Sequence, residues 1–243
     1  MTNTARNLAS IGEPVYTLRG EPGMTLGEMV RKTLTALIVA GEFPEDHRLY
    51  PEQLAEKLGV SITPVREALM KLASDGFIEN VQRRGFHIRA PGANQVRDMW
   101  QVRLSLELTA GELVIARVKS GELRVESLFP MLDLQRAQEG DPGGMDHATK
   151  LDLNGQFHSV IVDLSGNALL KTMHESLRHR VLGALVQRGT DTWRSRIAIE
   201  SKEHWAIIDA LTNLDSEAYQ AAVRAHLSRS LKDALADVGE QGA

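Results

Sequence analysis

The chain has 243 residues, of which 42% are hydrophobic, 25% charged and none cysteine, with a formal net charge of −4. That length provides for two domains, each with its own core. The lack of cysteine excludes disulfides and thiolate metal sites and fits a reducing, cytoplasmic setting; no apolar run approaches the roughly 20 residues of a membrane span.

Residues 1–23 are polar, carry Pro14, Gly20, Pro22 and Gly23, and lack the apolar core of a signal peptide. They are expected as a flexible arm with at most a brief extended piece at 15–18. Thr25-Leu26-Gly27-Glu28 then forms a capping box, opening a helix whose Leu26, Met29, Val30, Leu34, Leu37 and Ile38 share a face and which stops at Gly41. Pro51 opens a short second helix with Leu54, Ala55 and Leu58 inward and Gly59 as its stop. Only Gly59 to Ile62 separates it from a third helix, the tight connection of a helix-turn-helix. In that helix Thr63 is expected as N-cap, Pro64 at the first helical position and Arg66 in the first turn, where a side chain reaches base edges or phosphates. Val65, Ala68, Leu69 and Leu72 supply the core-facing stripe, and Gly76 ends it. Phe77–Val81 and Phe86–Arg89 read as two short strands around the basic turn Arg83-Arg84-Gly85, a wing. Residues 24–90 are therefore predicted to be a winged helix-turn-helix. With nine Lys and Arg against nine Asp and Glu in that span, DNA affinity must come from where the cations sit and from two copies acting together.

A linker at 91–94 follows, and beyond it only amphipathic helices are legible, near 94–119, 122–139, 146–165, 167–188, 192–212 and 215–237. Short joints predict an antiparallel all-helical bundle over 95–238. Inside it Asn154 and His158 share one helix face. His204 lies with Ile207, Ile208 and Leu211 at helical spacing, and His226 with Ala222, Val223 and Leu227. Three imidazoles converging from three helices would form a nitrogen-rich pocket suited to a divalent metal, zinc or nickel; on spacing alone, separate core histidines are the commoner outcome. Arg103 is placed either to clamp a carboxylate bidentately or to pair within its helix with Glu107. Trp100, Trp193 and Trp205 are placed either to line a pocket or, as their helical spacing favours, to fill the core. His147, His174 and His179 are expected at or near the surface, and Arg178, Arg180, Arg194 and Arg196 on a solvated face. No H-E-x-x-H, P-loop or G-x-S-x-G run is present.

The run Gly59-Val60-Ser61-Ile62-Thr63-Pro64-Val65-Arg66-Glu67-Ala68-Leu69, continued by Leu72 to Phe77, resembles the DNA-binding domain of the GntR superfamily of bacterial transcription regulators. The resemblance spans residues 26–89. It implies DNA contacts from Ser61, Thr63, Pro64, Arg66, Arg83, Arg84 and Gly85; Ile62 stands where the family usually carries a DNA-touching arginine. Asn154-Gly155-Gln156-Phe157-His158, Glu203-His204, His226, the Arg103 and Glu107 pair, Ser165-Gly166-Asn167 and Asp215 with Ala218 resemble the helical FCD effector-binding domain of the FadR-type branch, over 95–233. The resemblance implies a homodimeric, ligand-responsive regulator that binds double-stranded operator DNA, represses a catabolic or transport operon and is released by a small carboxylate. The metal ligands would be Asn154, His158, His204 and His226; the effector would meet Arg103 and the same three histidines. Asn154 replaces the family's aspartate, so an ion here would keep its full +2 charge. The alternative is a metal-dependent enzyme with an appended winged helix.

Overall fold

A computed structural model describes residues 16–39, 42–44, 46–88, 91–140, 147–186 and 193–240. Helix α1 (Leu26–Val39) starts on its capping box: the Thr25 amide donates to Glu28 Oε2 at 2.7 Å and the Glu28 amide to Thr25 Oγ1 at 3.3 Å. The expected stop at Gly41 lies outside the described residues. Helix α2 (Pro51–Leu58) begins on Pro51, and Gly59 ends it with a left-handed φ of 65°.

Helix α3 (Ile62–Ser74) corrects the expected start by two residues. Its N-cap is Ser61 rather than Thr63, and Pro64 occupies the third helical position. None of the first four amides of a helix has an intrahelical acceptor, so a proline fits anywhere in that turn and does not fix the register. Arg66 consequently lies in the second turn. Gly76, with φ 81°, donates to the Ala73 carbonyl at 3.1 Å while Phe77 donates to Leu72 at 2.9 Å, a Schellman ending.

The wing is β2 (Glu79–Val81) paired antiparallel with β3 (Gly85–His87). Phe77 and Ile78, expected in its first strand, are instead buried core residues ahead of it. A two-residue strand unforeseen in the sequence, β1 (Arg48–Leu49), pairs with the other edge of β3, giving the order β1-β3-β2. The head's core joins Val30, Leu34, Leu54, Leu58, Val65, Leu69, Leu72, Phe77 and Ile88. Of the expected arm, residues 1–15 lie outside the described residues. Tyr16 and Leu18 pack on the head, with the Tyr16 amide bonded to the Lys57 carbonyl at 3.1 Å.

Helix α4 runs Ala93–Lys119, so Ala93 and Asn94 belong to it rather than to the linker. The helix expected over 122–139 is a 3₁₀ turn (Val125–Leu128) followed by α5 (Phe129–Glu139). Pro130 explains the break, because a continuous helix would need its missing amide. Then come α6 (His147–Leu164), α7 (Ala168–Val186), α8 (Trp193–Thr212) and α9 (Ser216–Glu240). Asn167 Oδ1 caps α7 through the Leu170 amide at 3.0 Å, and Asp215 Oδ1 caps α9 through the Ala218 amide at 2.9 Å. Helix α4 packs against α6, α7 and α9, while α8 joins α5 to α9. Trp100, Phe157, Ile161, Ile207, Leu211, Tyr219 and Val223 fill the space between them. No helix among the described residues is long and apolar enough to cross a membrane.

Gly111 marks a close approach of two helices: a Cβ there would stand 2.0 Å from the Tyr219 ring, whose hydroxyl donates to the Glu107 carbonyl at 2.8 Å. Gly111→Ala should therefore destabilise the bundle by about 1–3 kcal/mol through overpacking. A thermal melt matching that of the wild type would contradict this packing.

Head and bundle touch through the α6–α7 hairpin. Helix α7 lies against α1, Leu151 of α6 packs on the head's core, and Arg180 covers Gly76 at the end of α3.

Candidate DNA-reading head and imidazole centre

The exposed face of α3 carries Thr63, Arg66 and Met70 at helical spacing, while Val65, Ala68 and Leu69 are buried behind it. Ile62 is half-buried against the core, so the position that would carry the family arginine is given over to packing. Arg66 is bonded to Glu52 at 3.0 Å with both side chains largely in solvent, a pair that phosphate or a base edge can displace at little cost. Ser61, Arg83 and Arg84 are exposed, and Pro64 and Gly85 half-buried. Arg83 takes a left-handed φ of 66° and Gly85 one of 83°, which turns the wing tightly and leaves both arginines at its tip. Sequence reasoning missed Arg48. On β1 its guanidinium stacks 4.8 Å over the Tyr50 ring and borders the groove between Arg66 and Gly85.

In the bundle, α6, α8 and α9 bring His158, His204 and His226 together, all buried, with ligand atoms within 4.8 Å of one another. Each ring is oriented from behind. His158 Nδ1 donates to Glu107 Oε2 at 2.9 Å, and Arg103 Nε holds the other oxygen of that carboxylate at 2.6 Å. His204 Nδ1 lies 2.9 Å from Gln135 Oε1. The Gln135 amide cannot flip, because its Nε2 faces the Glu139 carboxylate at 3.1 Å, and a carboxylate only accepts. His226 Nδ1 donates to Glu203 Oε2 at 2.8 Å, and Arg229 grips both oxygens of Glu203 at 2.7 Å. Phe157 stacks on the His204 ring with centroids 4.1 Å apart.

The Nδ1 protons thus point outward, and the Nε2 lone pairs are left for the centre. Nε2 of His158 and of His204 is buried without a hydrogen-bond partner among the described residues. That combination of oriented rings and orphaned nitrogens suits a divalent ion. Desolvation lowers the His158 pKa to about 3 and pushes His204 well below its usual value, so both are neutral near pH 7, as ligands must be. Burial opposes ionisation of Glu107, yet the adjacent Arg103 charge and the His158 bond hold its carboxyl well below the ordinary range.

Asn154, expected as the fourth ligand, is half-buried on the same face of α6, and its Nδ2 donates to Glu200 of α8. Burial raises the Glu200 pKa, with the Arg229 and Arg103 charges working against it. The two readings of Arg103 prove compatible: it is buried, pairs with Glu107 and also lines a cavity with Asn154 and His158. His174, expected near the surface, is buried in that cavity with Nε2 3.7 Å from Glu107 Oε1. Arg178, expected in solvent, lines it as well. The side chains of His147, His179, Trp193 and Arg194 lie outside the description. Trp100 is core, and Trp205 is half-buried with Nε1 bonded to Glu139 at 2.7 Å. Gln135, Glu139 and Arg229 had no signal in the sequence, because their pairing with the rings is made across helices.

A winged-helix head fused to a helical bundle whose cavity is lined by Arg103, Asn154 and His158 is the architecture of a regulator that reads DNA. Comparison with known proteins agrees. The profile described as bacterial regulatory proteins, gntR family, matches residues 26–88, and that of the FCD domain matches residues 98–229. The chain is 30% identical over 200 residues to the Nta operon transcriptional regulator of Aminobacter aminovorans, covering 82% of this chain and 90% of the relative. It is 29% identical over 209 residues to the uncharacterized HTH-type transcriptional regulator YdhC of Bacillus subtilis, covering 86% and 90%. The structure of McbR/YncC from E. coli superposes with a TM-score of 0.68 at 24% identity, over 87% of this chain and 97% of that one. The chain belongs to the GntR family of bacterial regulators, with a C-terminal FCD domain. It is a ligand-responsive DNA-binding transcription regulator rather than an enzyme, so the metalloenzyme alternative is set aside.

Proposed function

We propose that the protein is a homodimeric repressor of an operon for uptake or breakdown of a small organic acid. In this reading Thr63 and Arg66 of each head meet base edges in a half-site, while Ser61, Pro64, Arg83, Arg84 and Gly85 sit against the backbone, with Arg48 beside them. His158, His204, His226 and Asn154 would hold a zinc or nickel ion, which would supply positive charge to draw an acid's oxygens. Arg103 takes the same carboxylate from the side. The observation that carries the proposal is the set of three rings whose Nδ1 atoms are tied outward to Glu107, Gln135 and Glu203. A relative named as an operon regulator supports the operon context. The α6–α7 hairpin supports the coupling, because Leu151 both lines the cavity and packs on the head's core. For release, the acid must bind the DNA-incompetent arrangement more tightly than the competent one.

Elemental analysis of the purified protein tests the centre: about one divalent ion per chain is expected, before or after addition of zinc or nickel. No ion under either condition would overturn it. Asn154 sharpens the test. A carboxylate at 154 would be a stronger ligand than a carboxamide, but it would also face Glu200, which now accepts from the amide. Asn154→Asp with Glu200→Gln should hold the ion about tenfold more tightly than the wild type, and Asn154→Asp alone should gain less. Equal retention by wild type and double variant, measured by chelator competition, would remove the argument.

A further inference from the structure

His174, Leu177, Arg178 and Val181 follow one another along α7 at helical spacing and form one wall of the cavity. Leu151, Asn154, Gly155 and His158 of α6 face them. Gly155 is what admits the arginine. A Cβ at that position would stand 2.6 Å from Arg178 Nε, so only a glycine lets the guanidinium lie across α6. Asp152 then fixes one edge of the fork, its Oδ1 accepting from Arg178 at 2.6 Å. The Nε beside that edge is buried and has no partner among the described residues. Guanidinium N–H groups donate and cannot accept, so this is a buried donor in the cavity wall with nothing among the described residues to receive it. One turn earlier, His174 is 3% exposed and its Nδ1 is likewise buried and unpartnered. Buried polar groups in folded proteins are nearly always satisfied. Two orphans on one wall, opposite a helix that carries a metal-site histidine, mark a place built for a ligand's polar end.

We propose that Arg178 and His174 form a second anion subsite, and that the effector is a short dicarboxylate. One carboxylate meets Arg103 and the imidazole centre, and the other meets Arg178 Nε, with His174 Nδ1 as a further polar contact. This rests on the effector-pocket reading above and adds the ligand class to it. The cavity leaves about 30 Å³ open to the centre of a water-sized molecule, the space of about two or three waters. Any acid must widen it, and among diacids one of a few carbons widens it least.

The test is calorimetric titration of metal-loaded, full-length protein with matched pairs of acids: malonate against propionate, succinate against butyrate and glutarate against valerate. At one length the diacid should bind about tenfold or more tightly than its monoacid, the worth of one charge-assisted hydrogen bond. Arg178→Met should erase that advantage. Gly155→Ala, which displaces the guanidinium without removing its charge, should erase it as well, with melting curves of the ligand-free variants as the control for folding. Equal affinity within every pair overturns the proposal, as does an advantage that survives both substitutions. If neither class of acid binds although metal is present, the effector reading falls and this proposal with it; if monoacids bind as well as diacids, only this proposal falls.

Discussion

His204→Ala is expected to empty the bundle of its metal and blunt the response to acid, while the head keeps its hold on the operator. His204 is fully buried at the middle of the centre, its ring 5.3 Å from that of His158 and 4.9 Å from that of His226. Alanine removes one of the three proposed nitrogen ligands and leaves the Gln135 carbonyl without its donor. Loss of groups that merely orient a ligand costs about 10- to 100-fold in metal affinity, and loss of a ligand itself should cost at least the upper end of that range. Phe157 loses its stacking partner, so a modest drop in bundle stability accompanies the change. His204 meets Gln135, Phe157, His158 and His226, all of them in the bundle, and operator affinity in the absence of acid should stay near that of the wild type. The measurements are metal content by elemental analysis and operator binding with and without acid. A normal response from the His204→Ala protein would show that the pocket is misassigned.

Arg66→Ala should remove specific operator binding and leave the protein, with its proposed dimer, folded. The side chain stands in solvent on the outer face of α3, and its bond to Glu52 is an exposed pair whose loss is worth at most about 1 kcal/mol. On DNA the same guanidinium, if bidentate to a guanine, is worth about 1–3 kcal/mol. A dimer carries two copies, so the loss is about 2–6 kcal/mol, or roughly 30-fold to 10⁴-fold in affinity. Gel-shift titration against the upstream region of the gene reads the effect, and a melting curve confirms folding. Affinity within a few-fold of the wild type would place the reading surface elsewhere, with Arg48 and the wing the next residues to vary.

What the sequence made legible is what local chemistry determines. The Thr25 box, the Pro51 start and Gly59 stop of α2, the Gly76 ending of α3 and the inward faces of His158, His204 and His226 each follow from a few neighbouring residues. The errors arose where distant contacts or degenerate rules decide. Strand β1 exists only because Arg48 and Leu49 meet β3, and two residues carry no periodicity. The register of α3 was ambiguous because Pro64 suits several first-turn positions. Arg178 read as solvent-facing, and His174 as surface or partly buried, because nothing in α7 announces that Gly155, on another helix, opens a path for the guanidinium. The clamps on the rings were hidden for the same reason: Gln135 and Arg229 are far in sequence from the histidine or glutamate each one fixes.

Everything proposed for the site serves one claim, that the head binds duplex DNA and the bundle controls that binding. Footprinting across the DNA flanking the gene tests it most directly, using metal-loaded protein alone and with the acid that raises its melting temperature most. The account predicts two protected half-sites spaced by about one helical turn or a multiple of it, with protection weakened or lost when the acid is present. No protected sequence in either condition would contradict it.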